Sequence, residues 1–264
     1  MKRAVWIAIF AFALLSLCAP PAAAQIAALE FQPAKVPVGK VFHVVKSNLD
    51  GSRKANISYY VAARDRVEAL KWDEGGDEAT LVVAHLDWSR FSVGAFRVSH
   101  LVRGSAPEAR ATLDVDAAGV LSMSLNPAPV QLTHFPWQSF DFDFTGLTLA
   151  MPHLRDPEAD FRFWRTDFVY AEPPAVAELG EVTMKFAGRE KRNGKQARRY
   201  VIGGPGLQGR TGTWWADAKT GLLVEFEIPV GDEPGYDSVR IRLDRVERTD
   251  DTKWDAFKRR AVGE

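Results

Sequence analysis

From Val41 onward the apolar residues recur mostly at every second position, in short segments divided by turn residues. Side chains that alternate in this way put one face of a strand on a core and the other toward solvent. Residues 41–47 (VFHVVKS), the turn Asn48-Leu49-Asp50-Gly51-Ser52 and residues 55–62 (ANISYYVA) predict a strand, a turn and a strand. Residues 66–72, 81–88, 91–102, 111–115 and 120–125 continue the pattern. Such short polar turns cannot carry the crossover that parallel strands need, so the pairing is expected to be antiparallel.

The region 126–157 breaks the meander with five of the chain's fifteen prolines and no single period. Its run SFDFDFTGL (139–147) predicts a strand with Phe140, Phe142 and Phe144 on one face and Asp141 and Asp143 on the other. The region reads as a long connection, either covering one face of the sheet or marking a boundary between two β lobes, about 25–127 and 158–264. Hairpins then resume at 161–170, at 182–189 and 196–203 around Asn193-Gly194, at 211–227 and in the alternating run 236–248. Helix signals are few. Pro173-Pro174-Ala175 to Leu179, stopped by Gly180, predicts a turn or two. Residues 250–261 open on acids, place Trp254, Phe257 and Ala261 on one side, and end in Lys258-Arg259-Arg260, where the helix dipole favours cations. The expected fold is mainly β: one curved antiparallel sheet, a half-barrel or open barrel, with a short C-terminal helix.

The hairpin TGTWWADAKTGLLVEFE (211–227) is the most apolar of the set. Asp217 and Leu222 can close the four-residue loop Ala218-Lys219-Thr220-Gly221, whose last residue adopts a left-handed conformation that glycine takes at little cost. That register places Thr213, Trp215, Leu222, Val224 and Phe226 on one face, and Trp214, Ala216, Leu223, Glu225 and Glu227 on the other. Large rings on both faces imply a sheet covered on both sides or one that offers a side to an apolar ligand.

The N-terminus changes the compartment. Met1-Lys2-Arg3, the apolar run 4–17 and Ala22-Ala23-Ala24 before Gln25 have the three parts of a secretory signal peptide, cleaved near Ala24. The alternatives are a retained anchor, for which the run is short, and lipidation at Cys18, which has Leu17 rather than a small residue before it. Cleavage removes the only cysteine and leaves an acidic excess of two over the rest of the chain. No disulfide or thiol chemistry, no further membrane-spanning run and no electrostatic attraction for nucleic acid are then expected.

The tryptophan-bearing strand, Asp, short Thr-Gly turn and hydrophobic–acidic strand (WWADAKTGLLVEFE), preceded by the Asn-Gly hairpin, resemble the last part of bacterial periplasmic proteins of the lipoprotein-carrier superfamily, LolA/LolB-like carriers and related exported β proteins. The resemblance covers residues 182–247. It implies a strongly curved open sheet with a lipid-binding concave face and helices at its mouth, although the sequence offers no obvious helices to plug such a cup.

Candidate chemistry is sparse. Asp50-Gly51-Ser52 and Arg103-Gly104-Ser105 do not fit a nucleophile elbow, and His43, His85, His100, His134 and His153 show no metal-ligand spacing. His85-Leu86-Asp87 with Arg90 is the one local acid–base candidate, against the plainer reading of a polar strand face. Asp141 and Asp143 are explained in the same way by alternation. Gly203 to Gly209 lies between β-like segments, so it is a hairpin connection rather than a phosphate loop. The tip 189–199 carries six cations and one acid, and reads as a solvated hairpin end or a contact for anionic headgroups or an acidic partner. The sequence therefore predicts an exported, non-enzymatic periplasmic protein without cofactor or metal. Its expected ligand is a lipid or lipoprotein acyl chain on the concave face, touched by Trp215, Val224 and Phe226. The alternatives are a module for an envelope protein partner and a hydrolase with an unrecognised site.

Overall fold

A computed structural model describes residues 26–139, 144–169, 175–229 and 235–264. The leader, Cys18 and Phe140 to Asp143 lie outside the described residues. The first half of the chain forms β1 (Lys40–Ser47), β2 (Ala55–Val61), β3 (Arg66–Trp72), β4 (Glu78–Asp87), β5 (Ser92–Val102), β6 (Glu108–Val115), β7 (Val120–Met123) and β8 (Asn126–Gln131). The second half forms β9 (Trp137–Ser139), β10 (Phe161–Val169), β11 (Ala175–Arg192), β12 (Lys195–Gly203), β13 (Thr211–Asp217), β14 (Leu223–Ile228) and β15 (Val239–Arg248). All fifteen belong to one open, curved sheet in the order β8-β7-β6-β5-β4-β3-β2-β1-β15-β14-β13-β12-β11-β10-β9. Each half is a meander of neighbours. The halves join at a seam of the first and last strands, which pair antiparallel from Lys40–Arg248 to Ser47–Arg240.

The edges are kept from pairing further. β8 contains Pro127 and Pro129, which lack the N–H a neighbour would need. β9 is three residues long, pairs parallel with β10, and is tied across to the start of β5 where the Trp137 N–H donates to Ser92 Oγ at 2.9 Å.

The alternation seen in the sequence sorts the side chains into two sets. Phe42, Val44, Tyr59, Val61, Ala69 and Val82 meet Met184, Tyr200, Ile202, Trp214, Phe226 and Ile241 on the enclosed inner face, the main core. Each ring or branched side chain buried there contributes about 1.5–3 kcal/mol. Val41, Tyr60, Leu70 and Ala79 face outward and are covered by the C-terminal helix through Trp254, Ala261 and Val262.

Two helices cover the sheet, one on each face. α1 (Thr145–Ala150) and the 3-10 turn Met151–His153 lie against the inner face, with Leu147, Leu149, Met151 and Leu154 in the core. α2 (Asp251–Ala261) packs outside over β1 to β5. The expected C-terminal helix is therefore present. Of the strand expected over 139–147, Phe140 to Asp143 lie outside the described residues and the remainder is not strand beyond Ser139: Phe144 sits at a φ of 53° and helix begins at Thr145. Residues 144–154 of the middle region cover the inner face of the sheet, a plug that no helix signal announces. The helical turn expected at 173–179 is also corrected. Ala175 onward is the start of β11, and Gly180, at a φ of 112°, lies where the β10–β11 register slips.

Candidate functional site

The β13–β14 hairpin is the floor beneath the plug. Its loop closes as the turn residues dictate: Asp217 N–H donates to Leu222 O at 2.8 Å, and Asp217 Oδ1 accepts from Thr220 N–H at 2.8 Å. Gly221 has a φ of 77°, and a Cβ there would lie 2.9 Å from Pro152 Cα. The glycine thus serves two needs, a left-handed backbone and room for the plug.

Beyond the loop the register departs from the simple alternation. Ala216 pairs with Leu223 but Trp215 pairs with Glu225, so Val224 is an extra residue in β14. The bulge carries Phe226 to the inner face, opposite Trp214, while Trp215 and Val224 face outward. The expectation that Trp215, Val224 and Phe226 share one face is therefore corrected, since the alternation does not reveal which residue is doubled. Outside, Trp215 and Val224 pack on Ala197. The Arg192 guanidinium lies 4.1 Å from the Trp215 ring centre, and the indole N–H donates to Glu190 at 2.6 Å. Arg192 also binds Glu225 and Glu227, so the tip of β11–β12 folds back over the sheet. Those ion pairs lower the Glu225 pKa against the opposing effect of its burial.

On the inner face Phe144 stands edge-on to Phe163, Trp214 and Phe226, with ring centres at 6.4, 6.2 and 5.4 Å. The fit is close. A gap of only about 10 Å³ remains between α1 and Leu86, Trp88, Phe91 and Val93. Three polar atoms in this apolar interior, Tyr59 Oη, Trp137 Nε1 and Trp214 Nε1, are buried and find no hydrogen-bond partner among the described residues. Each such donor typically costs about 1–3 kcal/mol when left unpaired. Burial also pushes the Tyr59 phenol well above its ordinary pKa, so it remains a neutral donor.

The acid–base candidate of the sequence does not assemble. Asp87 caps its own turn, accepting from Ser89 N–H at 2.9 Å and lying 3.6 Å from Arg90, while His85 is exposed and a register slip follows it. A different set does assemble on the outer face. Ser58 Oγ lies 2.8 Å from His43 Nδ1, and His43 Nε2 lies 3.0 Å from Glu247. The Glu247 carboxylate can only accept, so the hydrogen of the neutral ring sits on Nε2 and the Ser58 O–H donates to Nδ1, while the Trp72 indole N–H donates to Ser58 Oγ at 3.2 Å. The members are those of a hydrolase triad, but the ring nitrogens are exchanged: the serine sits at Nδ1 and the carboxylate at Nε2. Ser58, however, is 1% exposed, and Phe257 of α2 stands 5.3 Å edge-on to the His43 ring. Burial lowers the His43 pKa and so favours the neutral ring, and the three side chains tie β1, β2 and β15 together under α2. Its members come from β1, β2 and β15, and no local motif could have disclosed it. Among the described residues no three His, Cys, Asp or Glu side chains are grouped to hold a metal ion, and no helix is long and apolar enough to cross a membrane.

No family model matches the sequence, and no curated protein does. Among solved structures the chain is similar to MucB, at 12% identity and a TM-score of 0.26 over 88% of this chain, which spans 60% of the MucB chain. It is similar to an exported protein with a YmcC-like fold from Bacteroides fragilis, at 12% identity and a TM-score of 0.30, covering 84% of this chain and 100% of that one. It is also similar to a domain described as outer membrane lipoprotein-sorting from Vibrio parahaemolyticus, at 10% identity and a TM-score of 0.20, covering 88% and 94%. The last is of the kind that the C-terminal hairpins resemble.

Proposed function

We propose that this is an exported, non-enzymatic envelope protein whose inner sheet face takes an acyl chain bearing a hydrogen-bond acceptor, such as an ester or carboxylate. The observation that carries the reading is the pair of buried donors, Trp214 Nε1–H and Tyr59 O–H, which have no partner among the described residues and lie in a largely apolar interior. An acyl carbonyl supplies the acceptor and its chain supplies the apolar body. Phe144 now holds the place against Trp214 and Phe226 that such a chain would take, so binding requires α1 to lift. Of the residues expected from the sequence, Phe226 remains the proposed contact. Trp214 replaces Trp215, and Val224 sets the bulge that turns Phe226 inward, opposite Trp214. Native mass spectrometry of the exported protein tests this. A co-purified lipid that is lost in Trp214→Asp supports the reading, and a clean apo mass from lipid-rich extracts counts against it.

A second reading, a module for an acidic envelope partner, is favoured by the β11–β12 hairpin. There Lys185, Lys191 and Lys195 are exposed and form no ion pair among the described residues, and Val201 is exposed on the same hairpin. A specific protein captured from envelope extract and lost in Lys191→Glu/Lys195→Glu would support it.

A further inference from the structure

The plug is fastened by a segment of the chain that its own sequence does not advertise. Residues 26–36 run along it as a strap. Leu29 pairs antiparallel with Leu154, Glu30 N–H donates to His153 O at 2.8 Å, and Arg155 N–H donates to Ala28 O at 2.9 Å. Lys35 Nζ donates to Pro152 O at 2.7 Å. The strap's Gln32 N–H donates to His153 Nδ1 at 3.1 Å. The His153 ring has no exposed surface and stands in a box of Phe31, Trp88 and Phe91, with ring centres 5.4, 4.9 and 5.8 Å away. One imidazole thus meets the strap, the plug and the β4–β5 turn.

We propose that His153 is an acid-sensitive latch: its neutral ring locks the strap onto the plug, and its protonation frees both and exposes the inner face. Because Nδ1 accepts from Gln32, the ring hydrogen sits on Nε2, which is buried without a partner among the described residues. A second proton would have to enter at Nδ1, where it would face the Gln32 N–H. It would also place an unpaired charge in an apolar box. The charged groups around it do not relieve this. On the strap, Lys35 repels the proton, and Glu30 is 3.8 Å from Arg155 of the plug side. On the β4–β5 turn, Asp87 is held by Arg90 at 3.6 Å.

Burial, and then the Lys35 charge, push the His153 pKa down to about 4 from an ordinary value near 6.5. The closed state therefore prefers the neutral ring. Its hold is complete above about pH 6.5 and is lost as the pH falls toward 4.

The inference rests on the reading of the inner face as a binding face, yet its test needs no ligand. Hydrogen exchange of the mature chain, measured by mass spectrometry, compares segment 144–154 with 200–207 of the core at each pH. Between pH 7.5 and 4.5 the relative opening of 144–154 should rise on the order of fiftyfold. The rise should vanish in His153→Phe, or in His153→Gln should the first variant not fold, and Leu29→Asp should be open at both pH values. Unchanged protection of 144–154 at acid pH, or the same acid response in a non-titrating variant, would overturn the latch. If 144–154 opens in acid and vesicle-derived fatty acid then added to the opened protein does not bind, the latch stands and the acyl-chain reading is overturned.

Discussion

The two helical covers of this sheet are built on opposite plans. α2 announces itself: Asp250 caps it, accepting from Lys253 N–H at 2.9 Å, and Lys258, Arg259 and Arg260 close it. It then docks through Trp254, whose indole N–H donates at 2.8 Å to the buried Glu68. α1 has none of this. It is six residues long, follows a left-handed phenylalanine and lacks a side-chain cap. All of its residues but Gly146 are buried. Helices this short are not stable alone, so α1 exists because of the surface beneath it. One cover is specified by its own residues, and the other by where it lies. That difference suits a fixed cover outside and a removable one inside.

The comparison can be broken at either side. The largest effect is expected from Trp254→Ala, which empties the α2 interface and strips Glu68 of a donor. Denaturant unfolding should show a global loss of about 4 kcal/mol. Phe144→Ala should cost less, about 3 kcal/mol, and in a different place: exchange of 144–154 accelerates while α2 stays protected. Gly221→Ala forces a side chain into a left-handed position against Pro152, for about 2 kcal/mol, and should likewise loosen the plug in an exchange experiment. Asp250→Ala should cost about 1 kcal/mol and fray only the start of α2, visible in its amide exchange. If Phe144→Ala unfolds the chain as thoroughly as Trp254→Ala, the two covers are not different in kind.

What the sequence discloses follows the same division. Period-two alternation located most strands because it is a local property of each segment, and the Asn193-Gly194 turn is left-handed at both residues, with φ of 49° and 75°. The bulge at Val224 is silent in the alternation, so the face of Phe226 came out reversed relative to Trp215. α1 was hidden because Phe140, Phe142 and Phe144 alternate as a strand would. The Ser58–His43–Glu247 bracket and the grip of Gln32 on His153 join residues far apart in the chain, and no spacing rule reaches them.

The seam between β1 and β15 sets the order in which the molecule can be finished. Each meander can zip up from neighbours as it is made, but β1 keeps one bare edge until the chain has been delivered as far as Arg248. Throughout synthesis the unmatched Lys40–Ser47 border must be kept from strangers, and the last strand to arrive is the one that makes the two halves a single body.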